Sequence, residues 1–452
     1  MPRSLTVIGL IVLATVASAM DWPQFLGPNR NGATTDGHLA RSWPPEGPKL
    51  LWECKLGAGF ASCVIDGGKV YILDRIHEKT ATGEAKPAQD ILRCIDLQTG
   101  KEAWSLAYDA PYEPLSYPGS RGTPCVDARF VFTLGGGGQV RCVDKTTHAL
   151  VWSHSLLTDF SRAKSRAPHY GYSQAPLLYQ QMLIVTPLND DSGLVACDKT
   201  TGKELWRSVP LGGNTASFSS PLIARIGERD QILFLGNDGK HNCTLYGLDP
   251  ADGKVLWSQG GWRCQAPVVE PVPLGDGRFF ITGGYKANSA MIQVEAQAGG
   301  FAARMLFNAS ADGKSPETPS TARQAGAGFS SHMHTPILYQ GYLYGNGSSV
   351  QSPKNGLVCL DLEGHTQWQT GNQPSFELGG FILVDDLLIG LNGETGMLRL
   401  AEANPRAYKQ LAEAKVLDQK GGEIWACMAF ADGRLIVRDH AVMKCLDLRT
   451  AK

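Results

Sequence analysis

The chain places two of its ten histidines two residues apart at only one point, His332-Met333-His334. On a strand, residues two apart share a face, so both imidazoles could reach one metal ion. His169 is a candidate third ligand. Arg121 and Arg263 can each hold a carboxylate or phosphate through two parallel hydrogen bonds. Tyr170, Tyr172, Phe218 and Trp425 supply flat faces, and Glu377 adds a carboxylate. Gathered at one place, these residues would form a mouth for an anionic or planar ligand. The same residue types also fill solvated channels, so their grouping depends on the elements that carry them.

Those elements repeat. Cys94-Ile95-Asp96-Leu97-Gln98-Thr99-Gly100-Lys101-Glu102-Ala103-Trp104 returns as Cys142-x-Asp144…Thr147…Trp152. It returns again from Ala196 to Trp206, from Gly247 to Trp257 and, one residue shorter, from Cys359 to Trp368. An apolar strand ends at Asp, a Thr/Asp-Gly-Lys turn tolerates positive φ, and the next strand carries Trp. Units of about 45–55 residues suit four short strands with their loops, the content of one propeller blade.

Upstream of each hairpin a small residue, usually followed by Pro, opens an innermost strand. The series is Ser62, Thr123, Ala175, Ser220, Ala266, Thr335, Gly380 and Ala426. Eight such openings predict an all-β, eight-bladed β-propeller with four-stranded antiparallel blades; blades five and seven lack the Trp. The candidate residues above lie on or near these openings and so should crowd one mouth of the central channel. The last unit, Cys445-x-Asp447-Leu448-Arg449-Thr450, stops before its Trp strand, and Gly47-Pro48-Lys49-Leu50-Leu51-Trp52 supplies the missing half. Residues 47–56 are therefore expected to form the outer strand of the last blade, closing the ring and removing its exposed edges.

The repeated unit resembles the tryptophan-docking motif of pyrroloquinoline quinone (PQQ) enzyme-type propellers, and the resemblance covers essentially all of the chain after residue 19. Asp21-Trp22-Pro23-Gln24-Phe25-Leu26-Gly27-Pro28-Asn29-Arg30-Asn31-Gly32 resembles the leader of many secreted members. The family spans quinoprotein alcohol dehydrogenases and the non-catalytic β-barrel assembly lipoprotein BamB. Its dehydrogenases carry an adjacent cysteine pair, a calcium-binding acid and amide, and a catalytic aspartate. The chain has no Cys-Cys pair. Asp96, Asp144, Asp198, Asp249, Asp361 and Asp447 belong to the repeat's turn. The resemblance therefore implies a non-catalytic binding or assembly scaffold, with no confident cofactor. Its alternative is an oxidoreductase using PQQ with Ca²⁺.

Composition agrees with a folded chain of near-zero net charge. The 452 residues include 42 basic and 43 acidic side chains, 43% are apolar, and 52 are glycines. That balance argues against a nucleic-acid partner and leaves a protein partner or small ligand. Four of the eleven cysteines, Cys94, Cys142, Cys359 and Cys445, share one register and read as small core residues. Cys63, Cys125, Cys264 and Cys427 lie by inner strands, where packing is expected and an isolated disulfide stays open.

Several other segments have simple readings. Gly135-Gly136-Gly137-Gly138 lacks the lysine and helix of a phosphate loop. Asn242-Cys243-Thr244, Asn308-Ala309-Ser310 and Asn346-Gly347-Ser348 are chance-frequency sequons. Stretches 76–90 and 309–328 read as polar loops, and 404–414 as a brief helix or an outer strand.

The domain plan is a signal peptide over 1–19, a leader over 20–46 and one propeller over 47–452. Arg3, the apolar run 5–17 and Ala17-Ser18-Ala19 predict export with cleavage after Ala19. The run is too short to span a bilayer. No cysteine precedes Cys54, so a lipid anchor at the cleavage site is not expected and the protein should be periplasmic or extracellular.

Overall fold

The computed structural model describes residues 21–450 apart from 37, 78–86, 111, 113–116, 118, 162–166, 213–216, 310–327, 351–354 and 419–421. Among the described residues there is no helix, and eight antiparallel sheets of four strands each form the eight-bladed propeller. The first blade holds Val64–Asp66, Lys69–Ile76, Gln89–Asp96 and Glu102–Asp109, running from the axis outward. The second strand of each blade is the most completely buried, because both faces of a blade pack on neighbouring blades.

The eighth blade is built from both ends of the chain. Lys49–Lys55 pairs antiparallel with Val442–Asp447, placing Trp52 beside Cys445. This is the expected two-ended closure. The indole N–H of Trp52 then donates to the Leu97 carbonyl of blade one at 2.8 Å. A Cβ on Gly100 would lie 2.6 Å from the Trp52 ring, and Gly100 has φ of 70°. The turn glycine thus serves twice, as a left-handed residue and as the floor for a neighbour's indole.

The arrangement recurs around the rim. Trp152 donates to Lys199, Trp206 to Pro250 and Trp368 to Asn404, each in the next blade. The small first residue of the repeat is the cross-strand neighbour of Trp within its own blade, as Cys94 is of Trp104 and Cys142 of Trp152. Every outer strand skips one residue in its register just before the Trp position. Such a bulge re-aims the following side chain. Blades five and seven keep the bulge with Phe307 and Ala412 in the Trp place.

One expectation needs correction, and for 404–414 the second of the two readings, an outer strand, holds. Ala266-Pro267 does not open the inner strand of blade five; that strand is Val272–Pro273, so Glu270-Pro271 holds the opening place. The chain uses two X-Pro steps there, and only the second starts a ladder. Residues 404–414 contain no helix, and Lys409–Lys415 is the outer strand of blade seven. The signal segment 1–19 and nearly all of the 309–328 loop lie outside the described residues.

The leader crosses one end of the ring. Trp22 exchanges backbone hydrogen bonds with Ile65 of blade one, and Val126 of blade two donates to Pro23. Arg30 reaches Pro176 of blade three at 3.2 Å. Ala33–Thr34 then runs parallel to Leu383–Val384 of blade seven.

Candidate functional site

The opening residues of the inner strands stand around the axis and bond from blade to blade. Ser62 N–H donates to Thr123 Oγ1 at 3.2 Å, and Ala175 N–H to Ser220 Oγ at 3.0 Å. Ser220 N–H donates to Glu270 Oε1, and Glu270 N–H to Thr335 Oγ1, both at 3.2 Å. The Thr335 hydroxyl donates back to Glu270 Oε2. Ser62 Oγ closes onto the Cys427 carbonyl at 2.8 Å. Small hydroxyl residues suit this ring because they satisfy a neighbour's strand-opening N–H that has no ladder partner.

Glu270 is the exception in size and charge. Burial pushes its carboxyl above the usual range, opposed by the Thr335 hydrogen bond and the Arg30 charge. Arg30 is itself lowered by burial, and its Nε and Nη2 have no hydrogen-bond partner.

Above this ring lies a cavity of about 210 Å³ with Phe25 of the leader among its walls. One side is an aromatic stack. Phe60 and Trp425 lie 5.5 Å apart and nearly parallel, with His440 edge-on to Phe60 at 4.5 Å and Tyr117 5.1 Å from Trp425. The Arg121 guanidinium sits 5.7 Å over the Phe60 ring and donates to the carbonyls of Gly119 and Tyr117. Burial lowers its pKa. Segments 59–61 and 119–120 are zipped together, Phe60 N–H donating to Ser120 O at 2.7 Å. A Cβ on Gly119 would lie 2.5 Å from the Gly59 nitrogen, so only glycine permits that approach.

Across the cavity, Tyr170 packs on Phe218 at 5.7 Å and Tyr285 edge-on to His332 at 4.7 Å. Burial, then the charge and hydrogen bond of Tyr170, push the Tyr285 hydroxyl up to about 12. Cys427 and Met333 also line the space. The Cys427 thiol is pushed up to about 12 by burial, and the His334 imidazole down to about 4, so both are neutral.

Of the expected mouth residues, Arg121, Tyr170, Phe218, His332 and Trp425 line the cavity together. His169 packs edge-on behind Tyr170 at 4.6 Å. Tyr172 belongs to the core between blades two and three, its hydroxyl donating to Pro187 O at 3.2 Å. Arg263 ends the outer strand of blade four, where it is bonded to Asn242 and cannot reach the axis from that position. Glu377 accepts from the Ser375 hydroxyl at 2.6 Å, outside the lining.

His334 is buried just behind Cys427. Residues 332–334 form a bend, not a strand, so the shared face expected of the two imidazoles does not arise. Among the described residues no group of three or more His, Cys, Asp or Glu could hold a metal ion.

Sequence reasoning passed over Phe25, Phe60, Tyr117, Glu270 and Tyr285. The Glu270-Pro271 step two residues before an apolar strand was a readable signal. The others sit in irregular segments with no period to mark them.

Residues 87–370 match the sequence model of a PQQ-repeat family described as outer membrane protein assembly factor BamB. The chain belongs to this BamB family of PQQ-like repeat propellers. Solved structures agree on the fold. BamB from Moraxella catarrhalis is 13% identical, with 88% of this chain and 99% of that chain covered and a TM-score of 0.56. A europium-containing methanol dehydrogenase is 12% identical over 92% and 89%, with a TM-score of 0.61. The quinohemoprotein alcohol dehydrogenase of Comamonas testosteroni is 14% identical over 96% and 81%, with a TM-score of 0.60. No curated protein sequence matches.

The fold's dehydrogenase members raise the question of a quinone with calcium. Ca²⁺ takes six to eight oxygen ligands. The cavity's one carboxylate among the described residues is Glu270, and both of its oxygens are already engaged within the ring. These residues do not fit a quinone–calcium pair.

Proposed function

We propose that this BamB-family propeller is an exported, non-catalytic binding or assembly scaffold, and that its axial cavity receives a planar or anionic group of its ligand or protein partner. The observation that carries this reading is the make-up of the cavity. Aromatic faces on both sides and one guanidinium give shape and charge recognition. The ring below offers hydroxyls, but its carboxylate and strand-opening N–H groups are spent on one another. Such a surface can grip a ligand; its one thiol, Cys427, and the His334 imidazole beside it are both neutral. Export rests on Arg3, the apolar run and Ala17-Ser18-Ala19. Among the described residues no helix is long and apolar enough to cross a membrane.

The second reading, a PQQ/Ca²⁺ oxidoreductase, draws on the likeness to the dehydrogenase folds and on a cavity suited to a planar molecule. One experiment separates the two. The purified chain is used as bait in the native envelope fraction, alongside Trp425→Ala and Arg121→Ala. In parallel it is incubated with PQQ, Ca²⁺, an alcohol and an artificial electron acceptor. Partners retained by the parent and lost by both variants, with no acceptor reduction, are expected. Acceptor reduction that depends on PQQ would overturn the scaffold, and identical capture by all three baits would remove the cavity from its function.

A further inference from the structure

Thr123, Ser173 and Ser220, from neighbouring blades two, three and four, line the cavity where it meets the axial ring. Ser173 lies two residues before the opening of blade three, and its buried Oγ has no hydrogen-bond partner among the described residues. Thr123 Oγ1 accepts the Ser62 N–H, and Ser220 Oγ accepts the Ala175 N–H. Neither of these two hydroxyls donates its own proton to another described residue. Every hydroxyl carries one donor, so the three blades together offer an arc of uncommitted O–H groups. Such an arc suits a group that only accepts, and a carboxylate is the strongest acceptor of that kind.

The walls add a second requirement. On one side the nearly parallel rings of Phe60 and Trp425 form an apolar face. On the other stand Tyr170 and Tyr285, whose hydroxyls are bonded to each other and can both donate and accept. A purely aromatic ligand would leave these phenols idle. A pyranose carries C–H bonds on one face and hydroxyls around its edge, and so uses both walls.

We infer that the cavity binds a hexuronate, an acidic sugar unit, with its carboxylate on Thr123, Ser173 and Ser220 and its C–H face on Phe60 and Trp425. The inference rests on reading the cavity as a site for an anionic group, and it names that group's chemistry. The charges around the site agree. Arg121 is the cation of the lining. Burial pushes the His332 imidazole down to about 4, so it is neutral. Glu270 has its oxygens held by the Ser220 N–H and the Thr335 hydroxyl, and the Arg30 guanidinium offsets its charge. At about 210 Å³ the cavity has room for one sugar ring and not for a chain.

The test is saturation-transfer NMR of the full chain, with affinities from titration, using methyl β-glucuronide, methyl β-glucoside and benzoate as probes. The glucuronide is expected to bind at least about tenfold more tightly than the neutral glucoside, because hydrogen bonds to a charged group are the stronger ones. Saturation should pass most strongly to the C–H protons of one sugar face. Ser173→Ala breaks no hydrogen bond within the protein. It should weaken the glucuronide about tenfold, leave the glucoside as it was and melt with the parent. Equal affinity for glucuronide and glucoside overturns the inference, as does undiminished glucuronide binding in a folded Ser173→Ala. Benzoate bound more tightly than the glucuronide overturns the sugar while leaving an anionic site. Binding of none of the three probes overturns the inference as well, and partner capture by Trp425→Ala and Arg121→Ala then decides separately whether the cavity serves a partner.

Discussion

The rim and the axis of this propeller are built on opposite plans. At the rim, one solution recurs: a turn capped by Asp, a left-handed residue, a bulge and, in four blades, an indole bonded to the next blade. At the axis, the equivalent position holds Ser62, Thr123, Ala175, Ser220, Glu270, Thr335, Gly380 and Cys427 in turn. Repetition marks the place where every blade has the same task, which is to hold its neighbour. Variation marks the place where each blade contributes something different to one shared cavity.

The sharpest way to break that contrast is at the closing strand. Deleting residues 49–55 should expose the edge of blade eight and uncover its apolar face. Trp52→Ala alone is expected to cost about 3–5 kcal/mol, a large share of a typical net stability of about 5–15 kcal/mol. Thermal melts and size-exclusion chromatography check this; a deletion variant that stays monomeric and melts with the parent would show that the rim does not carry closure.

Next in size is the axial acid. Glu270→Ala leaves the Ser220 N–H buried without its acceptor, for a loss of about 1–3 kcal/mol. Glu270→Gln keeps an acceptor and should lose less. The sign of the pH effect follows from burial, which raises the folded carboxyl's pKa. The folded state then binds the proton more tightly than the unfolded one. Wild-type stability should fall as pH rises above the unfolded value of about 4.3, levelling off above the folded pKa. The wild-type minus Glu270→Gln difference, followed by denaturant titration across pH, should show that decline. A flat difference would mean the ring does not feel the charge.

A rim turn should respond in the other direction. Asp96 accepts from the backbone N–H groups of Gln98 and Thr99 and from the Thr99 hydroxyl. Its hydrogen bonds, first that from Lys69, hold its carboxyl at about 2. Its stabilisation is therefore present above about 3.8 and is lost as pH falls towards about 2. Asp96→Ala should cost about 1 kcal/mol at neutral pH, as loss of a capping carboxylate does. Acid titrations of parent and variant should converge near the bottom of that range.

The smallest effect on stability is expected from Arg121→Ala. Its melting point should stay close to the parent's, while calorimetric titration of a captured partner should weaken by about 1.5–3 kcal/mol. Loss of fold in this variant would move Arg121 from the site to the framework.

How much of this was readable depended on periodicity. The turn Asp, Gly and Trp recur at constant spacing, so the blades and the two-ended closure could be counted before any coordinates. Glu270 was hidden by a second X-Pro step four residues earlier. Arg263 and Tyr172 were assigned to the mouth because they precede inner strands. The structure shows that a residue just before an inner strand can still end an outer strand or face the interblade core.

Fold, blade number and closure were therefore settled by local order: alternating burial, turn chemistry and a repeat that cannot bury its faces alone. Which side chains meet was decided only when the ring closed. Cys427 and His334 are 93 residues apart and on different blades, yet their side chains touch because the ring curves blade eight back towards blade six. Phe60 and Trp425 meet where blade one adjoins blade eight, from nearly opposite ends of the chain. No local pattern encodes those distances; they follow from eight blades sharing one axis.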